Sequence, residues 1–343
     1  MLTDTARPHL DAAVGGRIAD VVATSIAWER AGIARVVVPE ITHDPFMSLA
    51  ASAAPTERIQ LASGVTVAFA RSPMTTAYAA WGLQDASGGR AILGLGSQVK
   101  SHIRRRYDMP WSAPIPRMSE YIKAVRAIWA SWTDGTALNV AGEHYRFDLM
   151  PPMFRPEPLA GPPPPIVLAG LGPRMCALAA EVADGLMLHP FSTRAYVADV
   201  VLPAVADAGP STPEDRDLEI SAGLLVATGT TDADLAAAHR ALRARLAFYA
   251  STPAYRGVLT HHGWDALHEK LHELSVTGQW SRMPDLISDD MCDTLAVVGR
   301  PDEIAATVVE RYAGLAHRVV LYTPDDRPGP AVGAIAQAAR ARR

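Results

Sequence analysis

The most reactive side chains of the sequence cluster in residues 39–46 (PEITHDPF), which contain Glu40 and His43. A carboxylate and an imidazole placed together can orient a bound ring and transfer protons near neutral pH. Asp44 precedes Pro45, and this pair predicts a helix N-cap followed by the first helical residue. The pattern offers no such structural role for Glu40 and His43. Structural hydrogen bonding remains the alternative to a catalytic role for both residues.

A glycine-rich turn, residues 169–174 (AGLGPR), precedes an apolar helical segment. Glycine lets the backbone approach a ligand closely, and the free N–H groups at a helix N-terminus attract an anion. The sequence therefore predicts a phosphate cradle at this turn, with an ordinary strand-to-helix turn as the alternative. The turn is not a P-loop, because no Gly-Lys-Ser/Thr follows it.

A second segment of small residues, residues 94–98 (GLGSQ), would let a flat ring lie against the backbone. Ser97 and Gln98 would then offer donors and acceptors to a polar heterocycle. The alternative is a sharp turn at the end of a strand. His102 and the three arginines at positions 104–106 form a basic cluster just beyond it. This cluster is either a solvated face or a site for an anionic group of a substrate or cofactor.

One motif suggests a metal site. Residues 268–272 (HEKLH) match the HExxH pattern, in which two histidines one helical turn apart bind zinc. Zinc needs a third protein ligand, and the extended pattern fails because Ser275 and Gly278 stand where it requires Gly and His. The apolar residues of this helix form a stripe that leaves both histidines on the solvated flank. The stripe consists of Trp264, Leu267, Leu271 and Leu274. We therefore expect no metal site.

These candidate groups need a scaffold, and apolar runs of strand length alternate with amphipathic helical segments along the chain. The predicted strands are residues 9–14, 35–39, 59–67, 91–95, 165–169, 185–189, 219–227 and 317–323. The predicted helices lie near residues 17–31, 45–54, 73–87, 116–132, 173–183, 193–208, 232–250 and 301–313. Eight alternations predict an α/β fold of the (β/α)8 TIM-barrel type, which commonly takes about 250 residues.

The remaining length predicts one TIM-barrel domain over residues 1–343 with insertions at about 134–164, which is proline-rich, and 252–299, which contains helical segments. In such a barrel the reacting groups lie at the carboxyl ends of the strands. That rule brings together the three segments described above. It adds Gly64 and Val65 within strand three and His189 after strand six.

Composition excludes several classes of protein. The 343 residues are 49% apolar and carry a formal charge of −4, so nothing favours binding to nucleic acid or to an anionic membrane. The chain lacks both a run of about 20 apolar residues and a signal-like start, and we expect it to be cytoplasmic. Cys176 and Cys292 form no CxxC pair. Any redox chemistry must therefore come from a bound cofactor.

Taken together, these segments resemble the luciferase-like monooxygenase superfamily, and more closely its branch that uses the deazaflavin coenzyme F420. The resemblance extends from about residue 30 to residue 325. It rests on residues 39–46 (PEITHDPF), 61–73 (LASGVTVAFARSP), 87–98 (SGGRAILGLGSQ), 169–173 (AGLGP) and 181–189 (EVADGLMLH).

The resemblance implies a barrel whose carboxyl-end mouth holds an isoalloxazine-like ring. A non-prolyl cis peptide between Gly64 and Val65 would back the ring, and Glu40 would approach it. The remaining contacts would come from two segments. The ring would be lined by Gly96, Ser97 and Gln98, and the cofactor phosphate would be held by Ala169, Gly170, Leu171, Gly172 and Pro173.

The sequence also departs from the family pattern. Val99 stands where some family dehydrogenases have a glutamate, and Ile41 where they have a histidine. Sugar-phosphate dehydrogenase activity is therefore not expected, and proton transfer falls to His43, His102 or water. The substrate pocket is expected to be lined by the loop that carries Phe69, by Tyr107 and Trp111, and by the 252–299 insertion.

The resemblance implies an oxidoreductase that transfers a hydride between coenzyme F420 and a small organic substrate. The chain would act as a homodimer, and a separate dehydrogenase or reductase would regenerate the reduced cofactor. Two alternatives remain open at this point. One is an FMN-dependent monooxygenase supplied by a partner reductase, and the other is a non-catalytic flavin-binding barrel.

Overall fold

Eight apolar segments form the parallel strands of a closed barrel in a computed structural model that describes residues 7–208, 218–325 and 330–341. The strands are β1 (His9–Ala13), β2 (Arg35–Val38), β3 (Gln60–Ser63), β4 (Thr66–Val67), β5 (Ala91–Gly96), β6 (Val140–Ala141), β7 (Arg146–Phe147), β8 (Ile166–Gly170), β9 (Gly185–Leu188), β10 (Glu219–Thr228), β11 (Ala296–Gly299) and β12 (Arg318–Tyr322). The α-helices are α1 (Ile18–Ala31), α2 (Pro45–Ala53), α3 (Pro73–Ala86), α4 (Lys100–Arg105), α5 (Pro114–Thr133), α6 (Pro173–Val182), α7 (Arg194–Tyr196), α8 (Leu202–Ala208), α9 (Asp232–Ala250), α10 (Arg256–His261), α11 (Asp265–Val276), α12 (Asp289–Leu295), α13 (Pro301–Glu310) and α14 (Pro330–Ala341).

The barrel closes because β10 pairs with β9 on one side and with β12 on the other. The remaining order is β12, β1, β2, β3, β5, β8 and β9, all parallel. Strands β3 and β4 form one interrupted barrel strand, because both pair with β5. The prediction of a (β/α)8 barrel is confirmed, and each of the eight predicted strands is present.

Side-chain hydrogen bonds at the N-cap begin helices α2 and α3. The carboxylate of Asp44 accepts a hydrogen bond from the backbone N–H of Phe46, 2.9 Å away, which confirms the predicted N-cap of α2. The hydroxyl of Ser72 does the same for α3, which also begins with proline. Helix α1 ends at Gly32, whose φ of 92° lies in the left-handed region that glycine adopts without strain.

Alternation of side chains along the strands fills the barrel in layers. A middle layer consists of apolar residues that point into the barrel, whereas their neighbours along each strand point out toward the helices. Its members are Ala13, Val37, Ala62, Ile92, Val167, Met187 and Val320.

The layer at the amino ends of the strands is ionic. Arg318 of β12 donates two hydrogen bonds, of 2.6 and 2.7 Å, to the carboxylate of Asp11 of β1. Arg35 of β2 binds Glu219 of β10 at 2.9 Å and the amide oxygen of Gln60 of β3. Ion pairs join these two sets of contacts, between Arg318 and Glu219 at 3.5 Å and between Arg35 and Asp11 at 4.0 Å. Five strands thus contribute to one ionic network, which closes the bottom of the barrel.

The two predicted insertions have local structure of their own. The first, near residues 134–164, contains the antiparallel hairpin of β6 and β7. The second contains α10, α11 and α12 and ends in β11, which adds to the sheet beside the carboxyl half of β10. Helix α14, which the sequence pattern does not predict, packs against α1 and α13. In the described part of the chain, every helix is too short or too polar to span a membrane.

Candidate functional site

A cavity of about 420 Å³ opens at the carboxyl ends of the barrel strands. One side of it, the glycine-rich wall, is made by strands two to five and the turns that follow them. This wall consists of Glu40, Gly64, Val65, Gly96, Ser97, Gln98, Ala169, Gly170, Leu171 and Gly172. The other side, the aromatic wall, comes from β9, α9, the second insertion and β12. It consists of His189, Arg245, Tyr249, Tyr255 and Tyr322.

Glu40, just after β2, is held by contacts on both of its carboxylate oxygens. Oε2 accepts a hydrogen bond from the backbone N–H of Val67, and Oε1 accepts one from the guanidinium of Arg71, each at 2.8 Å. Arg71 also pairs with the exposed carboxylate of Asp44 at 3.3 Å. The pKa of Arg71 is raised despite its burial, because Glu40 and Asp44 are both close to it. Burial, followed by the charge of Glu40, raises the pKa of Tyr107. Glu40 therefore anchors the loops after strands two and three.

Strand three bends into the cavity between β3 and β4. The peptide bond from Gly64 to Val65 is cis, as the sequence resemblance predicts. A Cβ atom at position 64 would overlap the side chain of Val37, so no larger residue fits here without movement. The bend places the backbone of strand three directly against the cavity.

Strand four supplies the neighbouring part of the wall. A Cβ atom on Gly94 would overlap the backbone oxygen of Ser63, and one on Gly96 would lie 2.6 Å from Val65. Gln98 adopts a φ of 58°, an uncommon conformation for a residue other than glycine. Its side-chain oxygen accepts a hydrogen bond from the backbone N–H of Val99 at 2.9 Å. The strand exit is therefore flat and small, with polar groups at its end.

The turn after strand five leads into α6. Gly170 is closely packed, since a Cβ atom there would lie 3.1 Å from the sulfur of Cys176. Gly172 is the N-cap of α6, has an ordinary φ of −71° and lines the cavity. A Cβ atom at position 172 would meet no protein atom within 4 Å among the described residues. Space beside a helix N-terminus is what an anionic group would require.

The aromatic wall is built around His189. Because Met187 belongs to the inner layer of the barrel, His189 two residues later points to the same side, into the cavity. Its imidazole stacks on Tyr255, with ring centroids 4.3 Å apart and an interplanar angle of 26°. The ring also makes a T-shaped contact with Tyr249, with ring centroids 4.7 Å apart and an interplanar angle of 79°. Arg245 is fixed by a hydrogen bond to the carbonyl of Pro324 at 2.8 Å.

The protonation state of His189 follows from its contacts. Burial, followed by the positive charge of Arg245, lowers the pKa of His189 to about 3. Nδ1 accepts a hydrogen bond from the backbone N–H of Phe191 at 3.1 Å, so the single proton of the neutral ring lies on Nε2. His189 is therefore a neutral imidazole with a fixed tautomer.

The structure brings together all the residues expected to contact the cofactor except Pro173, which begins α6 without lining the cavity. His43 is exposed and lines a smaller neighbouring cavity, which shares Pro39 and Ile41 with the large one. His102 is exposed on α4. Catalytic roles for these two histidines stay predictions.

The loop that carries Phe69 borders the cavity through Val67 at its start. Phe69 itself is fully buried, with Trp111 in a T-shaped contact and the guanidinium of Arg117 4.3 Å from its ring centroid, so its side chain does not line the cavity. Tyr107 and Trp111 are half-buried outside the cavity lining. The second insertion does contribute, through Ala254 and Tyr255.

The HEKLH motif has a structural explanation. His268 and His272 each form a hydrogen bond through Nδ1, at 2.7 and 3.0 Å, to the carbonyl oxygens of Ala250 and Ser251 at the end of α9. The prediction that both histidines lie on a solvated flank is wrong for His268, which is buried. Their hydrogen bonds satisfy carbonyl groups that α9 leaves unpaired at its end.

Only part of the aromatic wall is indicated by the sequence, through His189 and the second insertion. The rule about strand ends does select His189, but Arg245, Tyr249 and Tyr255 lie on a helix and an insertion whose orientation no periodic pattern specifies. A cluster of two tyrosines and an arginine within residues 245–255 is the only available signal.

The chain matches a known protein family and is similar in sequence or fold to several known proteins. Residues 1–318 match the profile of a family described as luciferase-like monooxygenases. An uncharacterised protein of Mycobacterium tuberculosis is 44% identical over 315 residues, which cover 92% of this chain and 93% of that protein. A second protein of that organism, named a putative coenzyme F420-dependent oxidoreductase, is 31% identical over 81% of this chain and 83% of its own.

Among solved structures, the coenzyme F420-dependent tetrahydromethanopterin reductase from Methanopyrus kandleri matches with a TM-score of 0.77. The match covers 98% of this chain and 99% of that chain, at 20% sequence identity. At this level of identity the likeness shows that the two chains share the barrel fold.

Proposed function

This chain belongs to the luciferase-like monooxygenase family, and on that premise we propose that it is a coenzyme F420-dependent oxidoreductase. It would transfer a hydride between C5 of the deazaflavin and a small organic substrate. The observation that carries the proposal is the glycine-rich wall, in which four strands deliver ten of the residues expected to contact the cofactor to one cavity. The 31% identical relative named as F420-dependent supports the same choice of cofactor.

The residues of the wall fit a flat ring with a phosphorylated tail. The glycines at positions 64 and 96 leave backbone, without side chains, against the cavity. The open space at Gly172 lies beside the N-terminus of α6, where a phosphate would be stabilised. Through its hydrogen bonds to Val67 and Arg71, Glu40 would hold the loops after strands two and three in position beside the ring edge.

When bound, a reduced deazaflavin supplies two electrons as a hydride, because carbon in place of the flavin N5 suppresses one-electron and oxygen chemistry. The protein then has to orient the substrate and supply or accept a proton. We assign the proton transfer to His43 or His102, each acting through water because neither lines the large cavity. Alanine variants at each position would reveal the carrier through loss of turnover at unchanged cofactor affinity.

A second candidate function is favoured by the family match itself, whose description is a monooxygenase. In that case the cavity would hold reduced FMN supplied by a partner reductase, and the substrate would be oxygenated. Both candidates would place a flat ring on the glycine-rich wall. They differ in the atom at position five of the ring, which is carbon in the deazaflavin and nitrogen in FMN.

Purification from a host that makes both coenzyme F420 and FMN separates the two candidates. We expect the absorption spectrum of the purified protein, and fluorescence titrations of the stripped protein, to show a preference for the deazaflavin. A flavin spectrum alone, together with oxygen consumption in the presence of reduced FMN, would favour the monooxygenase. Binding of neither cofactor would reject both. Cofactor binding without turnover of any ketone, enone or imine would leave a binding role.

A further inference from the structure

The aromatic wall contains none of the residues expected to contact the cofactor. The residues expected to contact the ring and its phosphate all come from strands two to five, whereas this wall comes from strands six and eight, α9 and the second insertion. Both walls border the same cavity of about 420 Å³. A ring lying on the glycine-rich wall would therefore present its other face to the aromatic wall, where a substrate has to bind.

His189 is the polar centre of the aromatic wall. Its Nδ1 is used by the backbone N–H of Phe191, and among the residues that the structure describes its Nε2–H has no hydrogen-bond acceptor. The ring is fixed between Tyr255 and Tyr249, so the direction of this donor is set. A fixed donor set among aromatic rings recognises an acceptor oxygen on an apolar molecule, and the positive charge of Arg245 in the same wall also favours an oxygen there.

We propose that Nε2–H of His189 binds the substrate oxygen, and that the substrates are ketones or aldehydes with an apolar body. The assignment of these compounds as hydride acceptors rests on the proposed function, but their binding does not. The tyrosine rings would hold the apolar body while His189 holds the oxygen.

The hydride adds to the carbonyl carbon, the C=O π bond breaks, and its electron pair moves to the oxygen. The substrate gains two electrons, which the reduced cofactor loses, and the resulting alkoxide takes a proton from water, which His43 or His102 would resupply. His189 keeps its proton and stabilises the negative charge that develops on oxygen, as a donor in an oxyanion hole does.

The binding test compares acetophenone with α-methylstyrene, which has nearly the same shape but carries CH2 in place of the carbonyl oxygen. We expect the cofactor-loaded wild type to bind acetophenone about tenfold more tightly, as one neutral hydrogen bond would provide. His189→Phe should remove this preference while keeping a ring against Tyr255. His189→Gln, whose amide N–H can occupy the position of Nε2–H, should retain a preference.

Further measurements complete the test. The Nε2–H resonance of His189 should shift when acetophenone, but not α-methylstyrene, is added to labelled protein. With a reducible ketone, kcat/KM should fall about 100-fold in His189→Phe and less than tenfold in His189→Gln. An equal preference for acetophenone in wild type and His189→Phe, or no preference in the wild type, would overturn the proposal.

Failure of the proposed function would look different. Titrations of coenzyme F420 and FMN into all three proteins report on the cofactor alone, and we expect their dissociation constants to agree within threefold. If His189→Phe lost cofactor affinity, His189 would belong to the cofactor site and the inference would fall. If the wild type bound neither cofactor, the acetophenone comparison on the cofactor-free protein would still decide the role of His189.

Discussion

At the scale of single residues, Glu40 is the point at which the loops after strands two and three are tied together. Its side chain is only 9% exposed, and Arg71 beside it is 19% exposed. Glu40→Gln would remove the charge and place an amide N–H against either the N–H of Val67 or the guanidinium of Arg71. We expect a loss of about 1–3 kcal/mol in the free energy of unfolding, measured by denaturant titration, because a mostly buried donor would lose its acceptor. Cofactor affinity should fall as well, since the wall around the cavity loosens.

Asp44 offers a matched control for this prediction. Asp44→Asn removes the second carboxylate from Arg71, yet asparagine caps a helix as well as aspartate does. Because the side chain of Asp44 is 44% exposed, we expect a change below about 1 kcal/mol. Equal losses in the two variants would contradict the anchoring role of Glu40.

His189 makes stability depend on pH in a defined direction. Its pKa is about 3 in the folded protein and 6.5 in its unperturbed state, so between these values the unfolded chain binds a proton that the folded protein excludes. Stability conferred by the neutral ring is therefore present above pH 6.5 and is lost as the pH falls toward 3. Relative to His189→Phe and His189→Gln, the wild type should lose about 2 kcal/mol of unfolding free energy between pH 7.5 and pH 5. Parallel stability curves for the three proteins would reject this protonation state.

At the scale of elements, substitutions at the N-cap of α6 can distinguish an effect on helix stability from an effect on cofactor binding. Gly172→Asp would provide a better N-cap and place a carboxylate in the open space beside the N-terminus of α6. If a cofactor phosphate binds there, repulsion should weaken cofactor binding roughly 100-fold while thermal stability is unchanged or higher. Fluorescence titration and thermal unfolding on the same samples measure both quantities.

Gly172→Ser is the neutral comparison, because serine caps the helix equally well without adding charge. Its loss of affinity should be smaller, and the difference between the two variants should shrink at high salt. If Gly172→Asp bound the cofactor as the wild type does, the phosphate would have to lie elsewhere.

The strands and the glycine-rich wall could be predicted because both depend on residues that are close together in the sequence. Apolar runs identify strands such as β2 and β5, and the strand-end rule then gathers their exits at one mouth. The burial of Phe69 and of His268 could not be predicted, for another reason. Their burial depends on partners distant in sequence, Arg117 for the first and the end of α9 for the second, and periodicity within one element does not specify such partners.

At the scale of the whole molecule, the two ends of the barrel carry different tasks. The mouth holds the cavity, and the opposite end holds the network of Asp11, Arg318, Arg35, Glu219 and Gln60. The apolar middle layer separates them. Because barrel interiors are close-packed in such layers, a defect at the bottom should cost stability without reshaping the mouth.

Asp11→Asn tests this separation. Asp11 is fully buried and forms a bidentate ion pair with Arg318, so removing its charge leaves a buried guanidinium without its main partner. We expect a loss of about 3–5 kcal/mol in the free energy of unfolding, whereas the double variant Asp11→Leu, Arg318→Met should recover much of it, since apolar replacement of a buried pair is often tolerated. Below the unfolding temperature, both variants should bind the cofactor with the wild-type dissociation constant. A single variant that kept its stability, or one that lost cofactor affinity while still folded, would mean that the ionic layer and the mouth act as one unit.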